Sequence, residues 1–191
     1  MRVDRHKNFL SLEDCDALNA WVDEGVEKGW LDVGYSGKEN GYKDRLTTRF
    51  YGQRFEYPQL VHDVFQRIRD FYSLSSYPYI DKHGRDGVVV SCIFDGGDLY
   101  PHKDPRNGSY AALRCNVMTR KPESGGILHL DDQQIDLEVG ELHCYLASEF
   151  EHKVTTIHGD TSRVLWMFGV WTPMNDWESG KIKHSEAICT L

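Results

Sequence analysis

His102 and Asp104 stand two residues apart in GGDLYPHKDPRNG, residues 96–108. In an extended chain, alternate side chains project to one side and lie roughly 7 Å apart along the backbone. An imidazole and a carboxylate so placed can take two adjacent positions on one metal ion. By itself, however, the pair describes a solvated polar turn better than it describes a half-site.

The rest of the chain changes that balance. A facial set of two histidines and one carboxylate, the donor set of non-haem Fe(II) oxygenases, needs a second histidine from a neighbouring strand. Downstream candidates are His129, His143, His152, His158 and His184. His129 and His143 fall inside strand-like runs, His158 in a His-Gly-Asp turn and His184 in a polar tail. His152 opens HKVTTI, directly after the turn-like SEFE. Eleven residues later Arg163 starts the apolar run VLWMFGVW. Arginine suits bidentate capture of a carboxylate and keeps its charge when buried. The spacing predicts that His152 and Arg163 lie on the two arms of one hairpin.

These residues must be positioned by a scaffold, and its elements are legible in the pattern. Residues 9–25, FLSLEDCDALNAWVDEG, read as an amphipathic helix with Ser11 as N-cap, Glu13 and Asp14 in the first turn and Gly25 at the end. PQLVHDVFQRIRDFY (58–72) reads as a second helix entered at Pro58. From residue 87 the texture changes to short runs broken by turn residues: GVVVSCIFD, YAALRCNVM, GILHL, QQIDLE, ELHCYLA, HKVTTI and SRVLWMFGVW. About eight strands after a helical front predict a mainly β (α+β) fold. The specific expectation is a jelly roll, a double-stranded β-helix with N-terminal helices packed outside one sheet. We expect one domain, with 1–80 as support, 87–171 as the core and 172–191 as a tail.

Composition limits the function classes. The 191 residues carry a formal charge of −8, and the closest thing to a basic cluster, KDRLTTRFYGQR, is interrupted by Asp44 and neutral residues. Phosphate backbones need clustered Lys and Arg, so no nucleic-acid partner is expected. No run approaches a membrane span, the N-terminus has no apolar signal core, and five cysteines show no CxxC spacing. A reducing cytoplasm is therefore the expected location. Cys92, Cys115 and Cys144 read as small core hydrophobes, and Trp166 and Trp171 as core and rim packing.

Four segments together resemble the Fe(II)- and 2-oxoglutarate-dependent dioxygenases of the compact prolyl-hydroxylase-like type. NFLSLEDCDAL resembles the family's helix entry. FDGGDLYPHKD resembles its aromatic-x-x-Gly-x-x-x-x-His-x-Asp segment, with Phe94 where tyrosine is common. SGGILHL resembles the Gly-Gly-x-Leu strand. EHKVTTIHGDTSRVLWMFGVW resembles the distal histidine, cosubstrate arginine and closing strand.

The resemblance implies that His102, Asp104 and His152 ligate Fe(II), and that Arg163 holds the far carboxylate of the cosubstrate 2-oxoglutarate. O2 would be the oxidant and ascorbate a stimulant. It also implies oxidative decarboxylation of 2-oxoglutarate to succinate and CO2. Because Asp104 is present, halogenation is disfavoured; hydroxylation is the first expectation, with desaturation, epoxidation and ring closure open to the same iron.

Arg114 and Asn116 share one face of YAALRCNVM with Ala112 and Met118, and the residues alone leave open whether that face looks inward. If it does, both could bind cosubstrate or a substrate carboxylate. An inward Arg114 suits a small carboxylate-bearing metabolite such as an amino acid. A protein or carrier-bound side chain is the alternative substrate, a 2-oxoglutarate-independent cupin-type metalloenzyme the alternative enzyme, and a non-catalytic jelly-roll binding module the alternative class.

Overall fold

A computed structural model describes residues 2–32, 45–48, 56–80 and 87–184. In chain order the elements are β1 (Val3–His6), α1 (Leu12–Glu27), β2 (Leu31–Asp32), β3 (Arg45–Thr48), α2 (Gln59–Phe71), β4 (Val88–Ile93), β5 (Leu99–His102), β6 (Tyr110–Arg120), β7 (Leu128–Leu130), β8 (Gln133–Ile135), β9 (Leu142–Leu146), β10 (His152–Val154), β11 (Arg163–Pro173) and α3 (Met174–Glu178).

The strands form two antiparallel sheets. The larger is ordered β1-β9-β6-β11-β4-β3-β2 and the smaller β5-β10-β7-β8. From β4 to β11 the chain winds between the sheets so that, apart from β7 and β8, spatial neighbours are not sequence neighbours. This is the double-stranded β-helix. The expected hairpin of His152 and Arg163 does not form. β10 lies in the smaller sheet against β5 and β7, whereas β11 lies in the larger sheet against β4 and β6. The two residues approach from opposite walls of the roll.

Strand alternation gives the larger sheet two buried faces. On one face Val88, Val90, Cys92, Leu113, Cys115, Val117, Cys144, Val164, Trp166 and Phe168 meet the helices. On the other, Ile93, Met118, Tyr145 and Leu165 meet Leu128, Leu130, Phe150 and Val154 from the smaller sheet and its approaches. Trp166 is fully buried and packs against Trp21 of α1 and against Tyr57. Trp171 is buried with Ile80 and Ala112. All four described cysteines are buried free thiols.

Ser11 caps α1 by accepting from the Asp14 backbone N–H at 3.0 Å. The helix runs two residues past Gly25, however. A Cβ at Gly25 would come within 2.7 Å of Leu31 Cδ1 and 3.3 Å of Trp30, so glycine there lets the next segment close against the helix. The stop is at Gly29, whose φ of +68° suits a residue without Cβ. Removing the Trp166 indole leaves a large cavity between sheet and helices; Trp166→Ala should cost about 3–5 kcal/mol, against about 1 kcal/mol for Ser11→Ala, read from urea unfolding midpoints.

Candidate metal centre

Phe94, Asp95 and Gly96-Gly97 turn the chain from β4 into β5. Gly96 N–H donates to Ile157 O and Ile157 N–H to Gly97 O, each at 2.9 Å, which ties this bend to the approach of β11. β5 then delivers His102 directly opposite His152 on β10, with ring centroids 4.2 Å apart. Asp104 lies beyond the end of β5. Its backbone N–H donates to Ala147 O at 2.9 Å, so the residue is pinned across to the end of β9 in the other sheet.

One ligand atom from each of His102, Asp104 and His152 lies within 4.8 Å of the others. Both imidazoles are oriented alike. His102 Nδ1 is 2.9 Å from Tyr100 O, and His152 Nδ1 is 3.1 Å from Phe150 O. A carbonyl can only accept, so each Nδ1 carries the proton and each Nε2 presents its lone pair. Backbone support of the far nitrogen is the usual arrangement of metal-binding histidines. Asp104 is held likewise: Arg114 Nε donates to Oδ2 at 2.9 Å, while Oδ1 lies 3.9 Å from His102 Nε2. Two imidazoles and a carboxylate on adjoining faces fit a divalent first-row metal such as Fe(II).

Electrostatics agree with that donor set. Burial alone would raise the Asp104 carboxyl, but the Arg114 guanidinium and the two imidazoles override it and hold the group at about 2. His152, 6% exposed, is pushed down to about 4 by burial, against the pull of Asp104. The neutral, lone-pair form of the histidine is therefore the resident form near neutral pH.

The face of β6 left open by the sequence is turned inward. Arg114 reaches Asp104, and Asn116 Nδ2 lies 3.2 Å from Nε2 of His143, its cross-strand partner on β9. Gly169 sits opposite Arg114 on β11, and a Cβ there would come within 2.8 Å of Arg114 Nη1. A glycine inside a strand is the signal that such a close approach leaves in a sequence. His143 is fully buried and pushed down to about 3 by burial and by the Arg163 charge. Its Nδ1 and the Oδ1 of Asn116 are buried without hydrogen-bond partners. Tyr145 stacks on His143, meets His152 edge-on and lies beside Asn116; burial raises its phenol.

Arg163 is 1% exposed and donates from Nε to Gly126 O at 3.1 Å. Gly125 and Gly126 both have positive φ, and Cβ atoms there would strike Thr156 O and Pro122. The Gly-Gly pair thus lets the chain pass between the β11 arginine and the segment after β10. A buried guanidinium inside the roll suits an anionic ligand such as a dicarboxylate.

The other histidines do not join the set. His129 is on β7, His158 is an exposed bridge partner of Ser124, and His184 lies against His6 and Phe71 on the helix side of the larger sheet. Of Arg45 and Arg49, which in DRLTTRFY read more as a solvated strand edge than as the lining of a substrate mouth, Arg49 lies outside the described residues, as does the side chain of Arg45. His143, Tyr145 and Gly169 are the contributors that sequence reasoning did not assign to the site. The alternation along β9 was the trace of His143 and Tyr145, and a glycine within an apolar strand that of Gly169.

No protein-family model and no curated protein matches the chain. Solved structures do. A viral collagen prolyl hydroxylase from Paramecium bursaria Chlorella virus-1, solved as a 2OG complex, superposes with a TM-score of 0.63 at 16% identity, covering 90% of this chain and 97% of its own. A Pseudomonas putida prolyl-4-hydroxylase gives 0.64 at 16% identity, with 88% and 91% covered. A Trichoplax adhaerens prolyl hydroxylase, in complex with a hypoxia inducible factor oxygen degradation domain peptide fragment, gives 0.61 at 16% identity, with 87% and 83% covered. The chain therefore has the prolyl-hydroxylase fold.

Two measurements test the electrostatic description. Unfolded histidine protonates near about 6.5, whereas folded His143 stays neutral down to about 3. The unfolded state thus binds more protons below pH 6.5. The metal-free protein should hold its stability above that pH and lose it as pH falls, by at most about 1.4 kcal/mol per pH unit for each such histidine. Urea midpoints between pH 7.5 and 5 should show this slope, and His143→Asn should flatten it. Arg114→Met should weaken metal binding about 10–100-fold by releasing Asp104, measured by competition with a chromophoric chelator.

Proposed function

We propose that the protein is an Fe(II)- and 2-oxoglutarate-dependent dioxygenase that hydroxylates a side chain of a peptide or protein. The observation that carries the enzyme class is the His102–Asp104–His152 cluster, whose two Nε2 atoms and one carboxylate oxygen converge inside a β-helix that also buries Arg163. When bound, the iron supplies oxygen activation coupled to decarboxylation of 2-oxoglutarate. O2, 2-oxoglutarate and a C–H bond give succinate, CO2 and an alcohol.

The chain's own residues supply the rest. His102 and His152 present Nε2, each fixed by a carbonyl behind it. Asp104 supplies Oδ1, with Oδ2 occupied by Arg114. Arg163 gives the far carboxylate of 2-oxoglutarate a buried, always-charged partner. Ile93, Leu130, Phe150 and Leu165 keep the space between the sheets apolar and low in water. A cupin-type enzyme without 2-oxoglutarate would have no use for a buried arginine at this position.

Substrate class rests on a narrower argument. The sequence-based reason for a small carboxylate-bearing metabolite was an inward Arg114 available to bind it. Arg114 points inward, but its Nε is engaged by Asp104, and this favours a substrate held elsewhere. The peptide complex of the Trichoplax neighbour and the collagen prolyl hydroxylase of the Chlorella virus support a peptidyl substrate, with proline the residue to try first. Free thiols at all four described cysteines favour a reducing, cytoplasmic setting.

Succinate release with Fe(II), 2-oxoglutarate and ascorbate, over panels of proline-containing peptides and free amino acids, separates the readings. We expect stimulation by peptides. Stimulation by free acids alone would restore the metabolite reading, and no 2-oxoglutarate turnover under any condition would contradict the enzyme class. His102→Ala and Asp104→Ala should each lose at least 100-fold in turnover. Arg163→Ala should raise the 2-oxoglutarate KM about 10–100-fold, as expected for losing a buried charge-assisted pair worth about 1.5–3 kcal/mol.

A further inference from the structure

A second group of metal-type ligands stands on the opposite face of the larger sheet. Val3 packs into the core between the sheets, so Asp4 and His6, the alternate residues of β1, face the helices. His184 comes against them from the C-terminal segment. One ligand atom from each of Asp4, His6 and His184 lies within 4.8 Å of the other two.

The group is held in place by contacts that leave donor atoms for an ion. The His6 and His184 rings are 4.9 Å apart at 65°, and His184 stacks on Phe71 at 5.5 Å and 19°. His6 Nε2 lies 2.8 Å from the Tyr72 hydroxyl, so Nδ1 is the atom it can offer. Asp4 is paired with Arg2, through Nε at 2.8 Å and through Nη2. Each carboxylate oxygen has a further lone pair, so this pairing does not use up its capacity. The same Arg2 donates to Trp177 O and Ile182 O, and Trp177 Nε1 donates to Arg2 O at 3.0 Å. The two ends of the described chain are therefore docked against each other, with the three ligands side by side.

We propose that Asp4, His6 and His184 form a second metal site, independent of the iron centre, that takes zinc or a similar borderline divalent cation. Two imidazoles and one carboxylate are three of the four ligands such an ion requires, with water as the fourth. The ion would link residue 6 to residue 184 and so fasten the C-terminal segment to the edge strand. The neighbouring Arg2 charge places its affinity below that of a site built only of anionic and neutral ligands.

The test uses the full chain, stripped of metal, carrying His102→Ala and His152→Ala so that the first centre is disabled. Titration with zinc chloride should give one bound equivalent and a raised Tm, because only the folded state offers the complete ligand set. Adding His184→Ala, an exposed substitution, should lower zinc affinity at least tenfold and remove the Tm shift. His6→Gln, which keeps a polar partner for Tyr72, should do the same. Failure of the double variant to bind zinc, or binding that survives His184→Ala unchanged, would overturn the proposal.

Discussion

The structure depends on a carboxylate placed in the space between two sheets. An ionised Asp104 would be costly there alone, and its partners repay the desolvation only because all are delivered together. Arg114 reaches it from β6 in the larger sheet, His102 from β5 and His152 from β10 in the smaller one. The backbone bond to Ala147 joins the same residue to β9. Three strands from two sheets thus converge on one side chain, and a fourth holds its backbone. The β-helix winding brings them there, because it places sequence-distant strands side by side.

The same constraint divides the larger sheet into two roles. Its helix side, apart from the polar residues of the β1 edge, is largely apolar and carries the stability of the fold through Trp166, Phe168 and their neighbours. Its inner side carries Arg114, Asn116, His143 and Arg163, buried polar groups that an inert core would not keep. The unsatisfied Asn116 Oδ1 and His143 Nδ1 are a standing cost to the fold. A ligand that meets them recovers that cost on binding, which is how a site can be built into a wall that otherwise only packs.

Much of this was legible in the sequence, for physical reasons that differ by element. HKD alone read as a polar turn and became a half-site only beside His152 and Arg163, whereas Ser11 was marked by its place before an amphipathic run. The roll could be read from short β-rich runs between turns. The inward face of β6 could not be, because Ala111–Thr119 are nine consecutive buried residues with both faces covered, so the alternation that puts Arg114 and Asn116 on one side does not say which side faces the roll. The hairpin expected for His152 and Arg163 failed because sequence proximity suggests pairing, while the β-helix sends successive strands to opposite sheets. β1 was missed because VDRH is short and charged, as edge strands often are. Gly25 was misplaced as a terminator because close packing and chain reversal both select glycine, and only the structure separates the two.

The most direct test of the central claim is anomalous scattering at the iron edge from crystals grown anaerobically with Fe(II) and 2-oxoglutarate. The account predicts a peak within about 2.0–2.2 Å of His102 Nε2, His152 Nε2 and an Asp104 oxygen, with the cosubstrate's far carboxylate against Arg163. An iron peak elsewhere, or none at these three residues when iron is present in excess, would contradict it.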